Sequence, residues 1–342
     1  MKEPELYVMK IAFFDSKQYD KISFDTHNRS YGFTITYIES HLNSDTVSLT
    51  KGHDAVCVFV NDKLSKAVLE ALHQNGIRLV ALRCAGYNNV DLKEALLKSI
   101  PVVRVPSYSP HAVAEHTVGL MLCLNRKIHH AYNRTKENNF SIVGLLGFDM
   151  YGKTAGVIGC GQIGSVVCKI LQGFGMRVLG HDVEKTPVER SGATYVDLPT
   201  LYRESDIITL HCPLSPQTLR IINRDSIALM KDGVMLINTG RGGLVDTAGL
   251  IAGLKSKKIG AAGLDVYEEE SHYFYEDLSL TVIPDDMLER LLTFPNVLIT
   301  SHQAFFTIEA MNNIAETTLD NIKQFIEGKP LVNQVLEPRY SR

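Results

Sequence analysis

The chain has 342 residues, of which 45% are hydrophobic and 21% charged, and its formal net charge is −3. This composition is typical of a globular protein, and the length suggests two domains. No long basic run points to nucleic acid or an anionic membrane as a partner. The longest apolar stretch, near residues 118–124, is too short to cross a bilayer.

The first ten residues contain two glutamates and no apolar core, so they do not resemble a secretory signal. The chain has six cysteines, none in a C-x-x-C pair, and their neighbours are mostly apolar. We therefore expect a cytoplasmic protein with reduced, buried thiols and no metal site.

Short apolar runs alternate with helical stretches along most of the chain, which predicts α/β units with parallel sheets. In the first third, the predicted strands are 10–15, 34–38, 55–59, 79–82 and 102–105. Helices are predicted at 64–74, 92–98 and, beginning with Ser109-Pro110, up to 125. In the second half, strands are predicted at 154–158, 177–182, 207–211, 234–238, 261–266 and 297–300, and helices at 163–174 and 308–327.

The segment 159–164 reads GCGQIG and fits G-x-G-x-x-G directly after a predicted strand and at the start of a predicted helix. In this motif Gly159 allows a tight turn, Gly161 lets a pyrophosphate approach the backbone, and Gly164 allows close packing of helix and strand. The next predicted strand ends at Asp182, whose carboxylate suits ribose hydroxyls and repels a 2′-phosphate. The motif therefore predicts a dinucleotide site that prefers NAD to NADP.

Three further groups of polar residues follow predicted strands. Arg241 lies in the run NTGRGG, an acidic cluster follows the strand at 261–266, and His302 follows the strand at 297–300. Because parallel strands end at one edge of a sheet, an arginine, an acid and a histidine would converge there. The guanidinium suits a carboxylate, and the imidazole exchanges protons near neutral pH. This combination favours hydride transfer between a nicotinamide and a 2-hydroxy acid.

With these residues identified, the chain resembles the D-isomer-specific 2-hydroxyacid dehydrogenases over nearly its whole length. The motifs that carry the resemblance are LRCAGYNNVD (82–91), YSPHAVAEH (108–116), the glycine turn, NTGRGG (238–243), GLDVYEEE (263–270) and SHQAFF (301–306). Within the family, the narrower likeness is to bacterial fermentative D-lactate dehydrogenases. It rests on segments 83–91, 271–295 and 302–306.

The resemblance implies Arg241, Glu270 and His302 as catalytic residues, with Glu270 chosen because it lies five residues after Asp265. It implies that the N–H groups of Ala85 and Gly86 bind the substrate carboxylate. The residues implied to line a small pocket are Tyr108 and Phe305. Besides the glycine turn (Gly159, Gly161, Gln162, Ile163, Gly164) and Asp182, the residues implied along NAD are Cys212, Pro213, Thr239, Gly240 and Asp265.

The resemblance also implies two Rossmann-like domains with a cleft between them: an NAD-binding doubly wound sheet at 107–303, and a flavodoxin-like substrate domain at 1–106 and 304–342. A homodimer and the pair pyruvate and D-lactate are expected. Relatives often have proline after the catalytic glutamate, whereas Ser271 follows Glu270 here, which argues against the phosphoglycerate dehydrogenase branch.

Two alternatives stay open. One is a larger 2-oxo acid, such as 2-oxoisocaproate or phenylpyruvate, because pocket volume is not written in the sequence. The other is an NAD-sensing protein resembling the family's corepressors, which bind partner peptides. Against the second, all three catalytic residue types are present, and the chain has no long disordered or proline-rich tail.

Overall fold

A computed structural model describes residues 8–270 and 273–336. Both ends of the predicted substrate domain and the start of segment 271–295 lie outside the described residues. In chain order the strands are β1 (Lys10–Phe13), β2 (Thr34–Tyr37), β3 (Ala55–Val58), β4 (Leu79–Leu82), β5 (Val102–Val103), β6 (Thr154–Ile158), β7 (Arg177–His181), β8 (Thr194–Tyr195), β9 (Ile207–Leu210), β10 (Val234–Asn238), β11 (Ile259–Leu264) and β12 (Val297–Ile299).

The helices alternate with these strands over most of the described chain. They are α1 (Gln18–Asn28), α2 (Lys66–Gln74), α3 (Leu92–Leu97), α4 (Pro110–Arg126), α5 (Ile128–Lys136), α6 (Gln162–Gly173), α7 (Lys185–Arg190), α8 (Leu198–Glu204), α9 (Arg224–Leu229), α10 (Thr247–Lys255), α11 (Asp286–Leu292) and α12 (Ile308–Ile326). Short 3-10 turns occur at Val47–Thr50 and Gly242–Leu244. Within the described residues, no helix is both long and apolar enough to span a membrane.

The first compact unit consists of the described residues up to Ser109 together with those from Phe306 onward. Its five parallel strands are ordered β2-β1-β3-β4-β5, which is the flavodoxin-like order. The central strands β3 and β4 are buried and apolar along their whole length, as expected for parallel strands covered on both faces. Helix α12 packs beside α1 and so completes this unit with the C-terminal part of the chain.

The second unit, Pro110–Phe305, contains seven parallel strands in the order β12-β11-β10-β9-β6-β7-β8. The order reverses between β6 and β9, which gives the doubly wound arrangement of a Rossmann domain. Apolar residues cover both faces of this sheet, in two clusters of buried side chains. The predicted fold class, two α/β units with parallel sheets, is confirmed.

Several strands end one or two residues earlier than the sequence predicts. The prediction ran to 182, 211, 266 and 300, whereas β7, β9, β11 and β12 end at His181, Leu210, Leu264 and Ile299. The residues that the prediction added to these strands are mostly polar and follow the last paired residue of each strand. The extra residues are the ones that turn away at the carboxyl edge of the sheet.

Candidate active site

The glycine turn joins β6 to α6 in the second unit. Gly159 has a φ of +91°, and a Cβ there would collide with the backbone of Cys212. A Cβ at Gly164 would collide with the carbonyl oxygen of Gly159. A Cβ at Gly161, in contrast, would meet nothing within 4 Å. The fold itself therefore requires the first and third glycines, while the second leaves open space beside the backbone.

The start of α6 is suited to an anion. Its N-cap residue is Gly161, so no side chain caps the first turn of the helix. The positive end of the helix dipole and the N–H groups of that turn are the features with which Rossmann domains hold a pyrophosphate. The residues Gln162 and Ile163 occupy this first turn.

Asp182 directly follows β7 and bonds to the glycine turn. Its Oδ2 accepts the N–H of Cys160 at 2.7 Å, and its Oδ1 accepts the N–H of Val183 at 2.8 Å. The carboxylate is half-buried. Each carboxylate oxygen has a second lone pair, so both can still accept hydrogen bonds from ribose hydroxyls.

Cys212 and Pro213 follow β9. Burial raises the pKa of the Cys212 thiol to about 11, so the thiol stays protonated at neutral pH and is a poor nucleophile. The carbonyl of Pro213 accepts a hydrogen bond from Thr218 Oγ1 at 2.6 Å, which stabilises the turn. Cys212 and Pro213 therefore form an uncharged surface that this turn holds in place.

The turn after β10 carries Thr239, Gly240 and Arg241. The side chain of Asn238 holds it, because Oδ1 accepts the N–H of Gly240 at 3.0 Å and Nδ2 donates to the carbonyl of Arg241 at 2.9 Å. The hydroxyl of Thr239 bonds to that of Thr117 at 2.8 Å. Arg241 Nη1 donates to the Gly240 carbonyl at 2.8 Å. Within the described residues Arg241 forms no ion pair, so no described carboxylate neutralises its charge.

His302 and Glu270 form a hydrogen-bonded pair in the second unit. Nδ1 of His302 lies 2.8 Å from Oε1 of Glu270, and Oε2 of the same carboxylate accepts the N–H of Tyr267 at 2.9 Å. The backbone of His302 has a φ of +51°, a left-handed conformation. Tyr275 donates its hydroxyl to the His302 carbonyl at 3.1 Å. Within the part of the chain that is described, no group bonds to Nε2 of His302.

Asp265 is fully buried and holds the loop that carries this histidine. Its carboxylate accepts the N–H groups of Gln303 and Ala304, each at 2.9 Å. It also accepts the hydroxyl of Thr300, and Nε2 of His116 lies 3.5 Å from the same carboxylate. The described contacts of Asp265 therefore lie within its own unit and fix the segment on both sides of His302.

The substrate-binding candidates lie in both units. Ala85 and Gly86 follow β4 in the first unit and are half-buried. Tyr108, in the same unit, accepts a hydrogen bond at its carbonyl from Asn313 Nδ2 at 2.7 Å. Phe305 belongs to the second unit, where it is buried.

Comparison with known proteins identifies the family. The family model described as the NAD-binding domain of D-isomer-specific 2-hydroxyacid dehydrogenases matches residues 118–304, more than half of the chain. The chain belongs to the D-isomer-specific 2-hydroxyacid dehydrogenase family. It is accordingly an oxidoreductase whose second unit is the NAD-binding domain of that family.

Similar members of the family cover nearly the full chain. A 2-hydroxyacid dehydrogenase homolog from Haemophilus influenzae is 53% identical over 96% of this chain and 99% of its own. The D-lactate dehydrogenase of Escherichia coli is 49% identical over 96% of this chain and 100% of its own. The solved structure of the pyruvate reductase of Chlamydomonas reinhardtii is 42% identical, covers 95% of this chain and 98% of its own, and has a TM-score of 0.90.

Sequence reasoning missed three residues around the histidine of this dehydrogenase. His116 and Thr300 contact Asp265, and Tyr275 contacts the backbone of His302. His116 belongs to the motif 108–116 that carries the resemblance, but that motif does not indicate which carboxylate His116 contacts. The contact joins residues far apart in the chain, which a single sequence does not reveal.

Proposed function

We propose that the protein is an NAD-dependent D-lactate dehydrogenase that interconverts pyruvate and D-lactate. The observation that carries the proposal is the pairing of His302 with Glu270 at 2.8 Å, in a family member about half identical to a D-lactate dehydrogenase. The guanidinium of Arg241, which pairs with no carboxylate of the described residues, follows a strand of the same sheet and adds a group suited to a carboxylate. The likeness to a pyruvate reductase supports pyruvate as the oxo acid.

Each residue has a distinct role in the proposed reduction. Bound NADH supplies the hydride to the carbonyl carbon. His302 donates a proton from Nε2 to the carbonyl oxygen. Glu270, on the other side of the ring, stabilises the protonated imidazolium from which this proton comes. Arg241 binds the substrate carboxylate and polarises the carbonyl. The N–H groups of Ala85 and Gly86 in the first unit are the proposed hydrogen-bond donors to the substrate carboxylate. The proposed apolar lining is Tyr108 of the first unit and Phe305 of the second.

The proposed cofactor is NAD rather than NADP. The carboxylate of Asp182 would bond to the ribose hydroxyls and repel a 2′-phosphate, and the exposed Glu184 adds negative charge nearby. The residues proposed along the rest of the cofactor are those of the glycine turn with Cys212, Pro213, Thr239, Gly240 and Asp265. Of these, Asp265 would act largely through the loop that it holds.

A homodimer is also proposed. In the second unit, the segment after α5 leaves large apolar side chains strongly exposed, including Phe140, Ile142, Val143 and Leu146. Contiguous exposed apolar side chains are typical of interaction surfaces, and a second copy of this chain is the proposed occupant. The free cysteines, four of them buried, agree with the cytoplasmic location that we propose.

The test is NADH oxidation with pyruvate, followed by NAD reduction with D-lactate and L-lactate separately. Fast pyruvate reduction, with NAD reduced only by D-lactate, is the expected result. Activity restricted to 2-oxoisocaproate or phenylpyruvate would keep the mechanism and change the substrate. NADH binding without turnover of any 2-oxo acid would contradict the proposal and favour a cofactor-sensing protein.

A further inference from the structure

In the turn after β4, residues 84–86 of the first unit, every carbonyl group accepts a hydrogen bond. The Cys84 carbonyl accepts the N–H of Val105 at 3.1 Å, and the Gly86 carbonyl accepts the Cys84 thiol at 3.3 Å. The Ala85 carbonyl accepts Nη1 of Arg104 at 2.7 Å. The carbonyl oxygens of this turn are therefore turned toward internal donors.

The N–H groups of the same turn are in the opposite situation. Neither Ala85 nor Gly86 donates its N–H to any group in the described residues. In a trans peptide the carbonyl and the following N–H point in opposite directions. A donor that fixes the Ala85 carbonyl therefore also fixes the direction in which the N–H of Gly86 points.

Arg104 also places a positive charge beside the Ala85–Gly86 peptide. Its guanidinium lies 5.1 Å from the centre of the Tyr87 ring, and no carboxylate of the described chain pairs with it. Hydrogen bonds from a charged donor are stronger than neutral ones and polarise the groups that they join. The positive charge on the Ala85 carbonyl thus makes the N–H of Gly86 a stronger donor to an anion.

The backbone of Arg104 is itself held in place. Its N–H donates to the carbonyl of Asn333 at 3.1 Å, and its carbonyl accepts Nδ2 of Asn321 at 2.9 Å. Both partners belong to the C-terminal part of the same unit. The guanidinium therefore approaches the turn from a fixed point.

We propose that Arg104 is a positioning residue that orients and polarises the Ala85–Gly86 peptide for the carboxylate of a 2-oxo acid. The inference rests on the proposed function, in which these two N–H groups donate hydrogen bonds to the substrate carboxylate. If Arg104 only connected two loops, its loss would lower the stability of the fold without a specific effect on binding of the 2-oxo acid. The two roles differ in which kinetic constant changes.

The experiment compares R104M, R104K and the control R78M in the full-length protein. Arg78 precedes β4 at its other end, and its exposed guanidinium lies 3.5 Å from the Asp54 carboxylate. For R104M we expect the KM for pyruvate to rise about tenfold, with kcat and the KM for NADH within about twofold of wild type. R104K, which keeps the charge, is expected to recover part of the loss, and R78M to match wild type.

Calorimetric binding of oxamate, an unreactive carboxylate analogue of pyruvate, to the NADH-loaded proteins separates this inference from the proposed function. Weaker oxamate binding by R104M than by R78M, with thermal melting close to wild type, supports the role of Arg104. Equal oxamate affinity in R104M and wild type overturns it, as does a change in kcat alone. A wild type that binds oxamate but reduces no 2-oxo acid would instead refute only the proposed function. If R104M does not fold, R104K decides by the same comparison.

Discussion

Nδ1 of His302 lies 2.8 Å from Oε1 of Glu270, while the second oxygen of that carboxylate accepts the backbone N–H of Tyr267. The carboxylate is thus held from one side by the backbone and holds the imidazole on the other. With Nδ1 occupied, the ring can exchange a proton with a substrate only through Nε2. The pair accordingly fixes the orientation of the ring and leaves Nε2 as the atom that would react in the proposed mechanism.

Removing either partner should slow turnover and spare cofactor binding. In H302A the proposed proton donor is lost, and we expect kcat for pyruvate reduction to fall by about 10²- to 10⁴-fold. In E270Q the ring keeps a hydrogen-bond partner but loses the negative charge that stabilises the imidazolium, so a smaller loss of about tenfold or more is expected. Steady-state kinetics with a separate NADH titration measures both effects.

The matched control is E269Q, because Glu269 is the exposed neighbour of Glu270 in the same acidic run. Its kinetic constants should stay within about twofold of wild type, since an exposed charge contributes little. If E269Q lost turnover and E270Q did not, the choice of glutamate by spacing would be wrong by one residue.

The location of His302 at a strand end could be predicted from sequence, because the apolar run 297–300 and the polar residue after it are both local features. Its left-handed backbone, with a φ of +51°, could not. That conformation depends on Asp265, which bonds to the loop, and on Tyr275, which bonds to the histidine carbonyl. These contacts join separate segments, and one sequence carries no signal of which segments meet.

The glycine turn was predictable for the opposite reason. A strand, a tight turn and a helix are consecutive in the chain, so periodicity and glycine spacing describe the whole unit. The motif assigns a separate purpose to each of the three glycines, but spacing alone does not show what a Cβ would meet at each position. Only the Cβ positions in the folded chain separate the two that the fold requires from Gly161.

Substitution of the glycines should separate folding from cofactor binding. G161A is expected to keep a melting temperature close to wild type, because the added methyl group meets no atom within 4 Å. Its affinity for NADH should fall at least about tenfold, since the methyl group occupies the approach of the pyrophosphate. G164A should instead be destabilised, by about 1–3 kcal/mol or more, because its methyl group collides with the Gly159 carbonyl.

Calorimetric melting and NADH titration of the two variants make the comparison. Tight NADH binding by a folded G161A would show that no phosphate passes close to this backbone. Equal loss of stability in both variants would show that the space beside Gly161 is needed by the fold.

Cofactor preference should depend on the charge of Asp182. D182N keeps a side-chain oxygen that can accept the N–H of Cys160 but removes the negative charge. We expect the ratio of kcat/KM for NADH to that for NADPH to fall by about tenfold, mainly through a lower KM for NADPH. The control E184Q removes an exposed charge two residues further along and should change the ratio less. An unchanged ratio in D182N would mean that another group selects the cofactor.

A pH-dependent effect on stability is expected from Asp62 in the first unit. Burial raises the pKa of this carboxyl to about 6, although Arg83 and two backbone donors, the N–H groups of Leu42 and Phe59, oppose the shift. The pKa of Asp62 is thus higher in the folded state than in the unfolded state. Its contribution to the free energy of unfolding is therefore fully present below about pH 4 and is lost as the pH rises through about 6. The variant D62N lacks this titration.

The free energy of unfolding of wild type relative to D62N should therefore fall between about pH 4 and pH 7, by on the order of 3 kcal/mol. Urea denaturation across this range measures the difference, with D45N, a change of an exposed aspartate, as the control that should stay flat. A difference that rises with pH would mean that Arg83 and the two N–H donors outweigh burial. In that case the buried carboxylate would stabilise the fold in its charged form, and acid rather than neutral pH would weaken this unit.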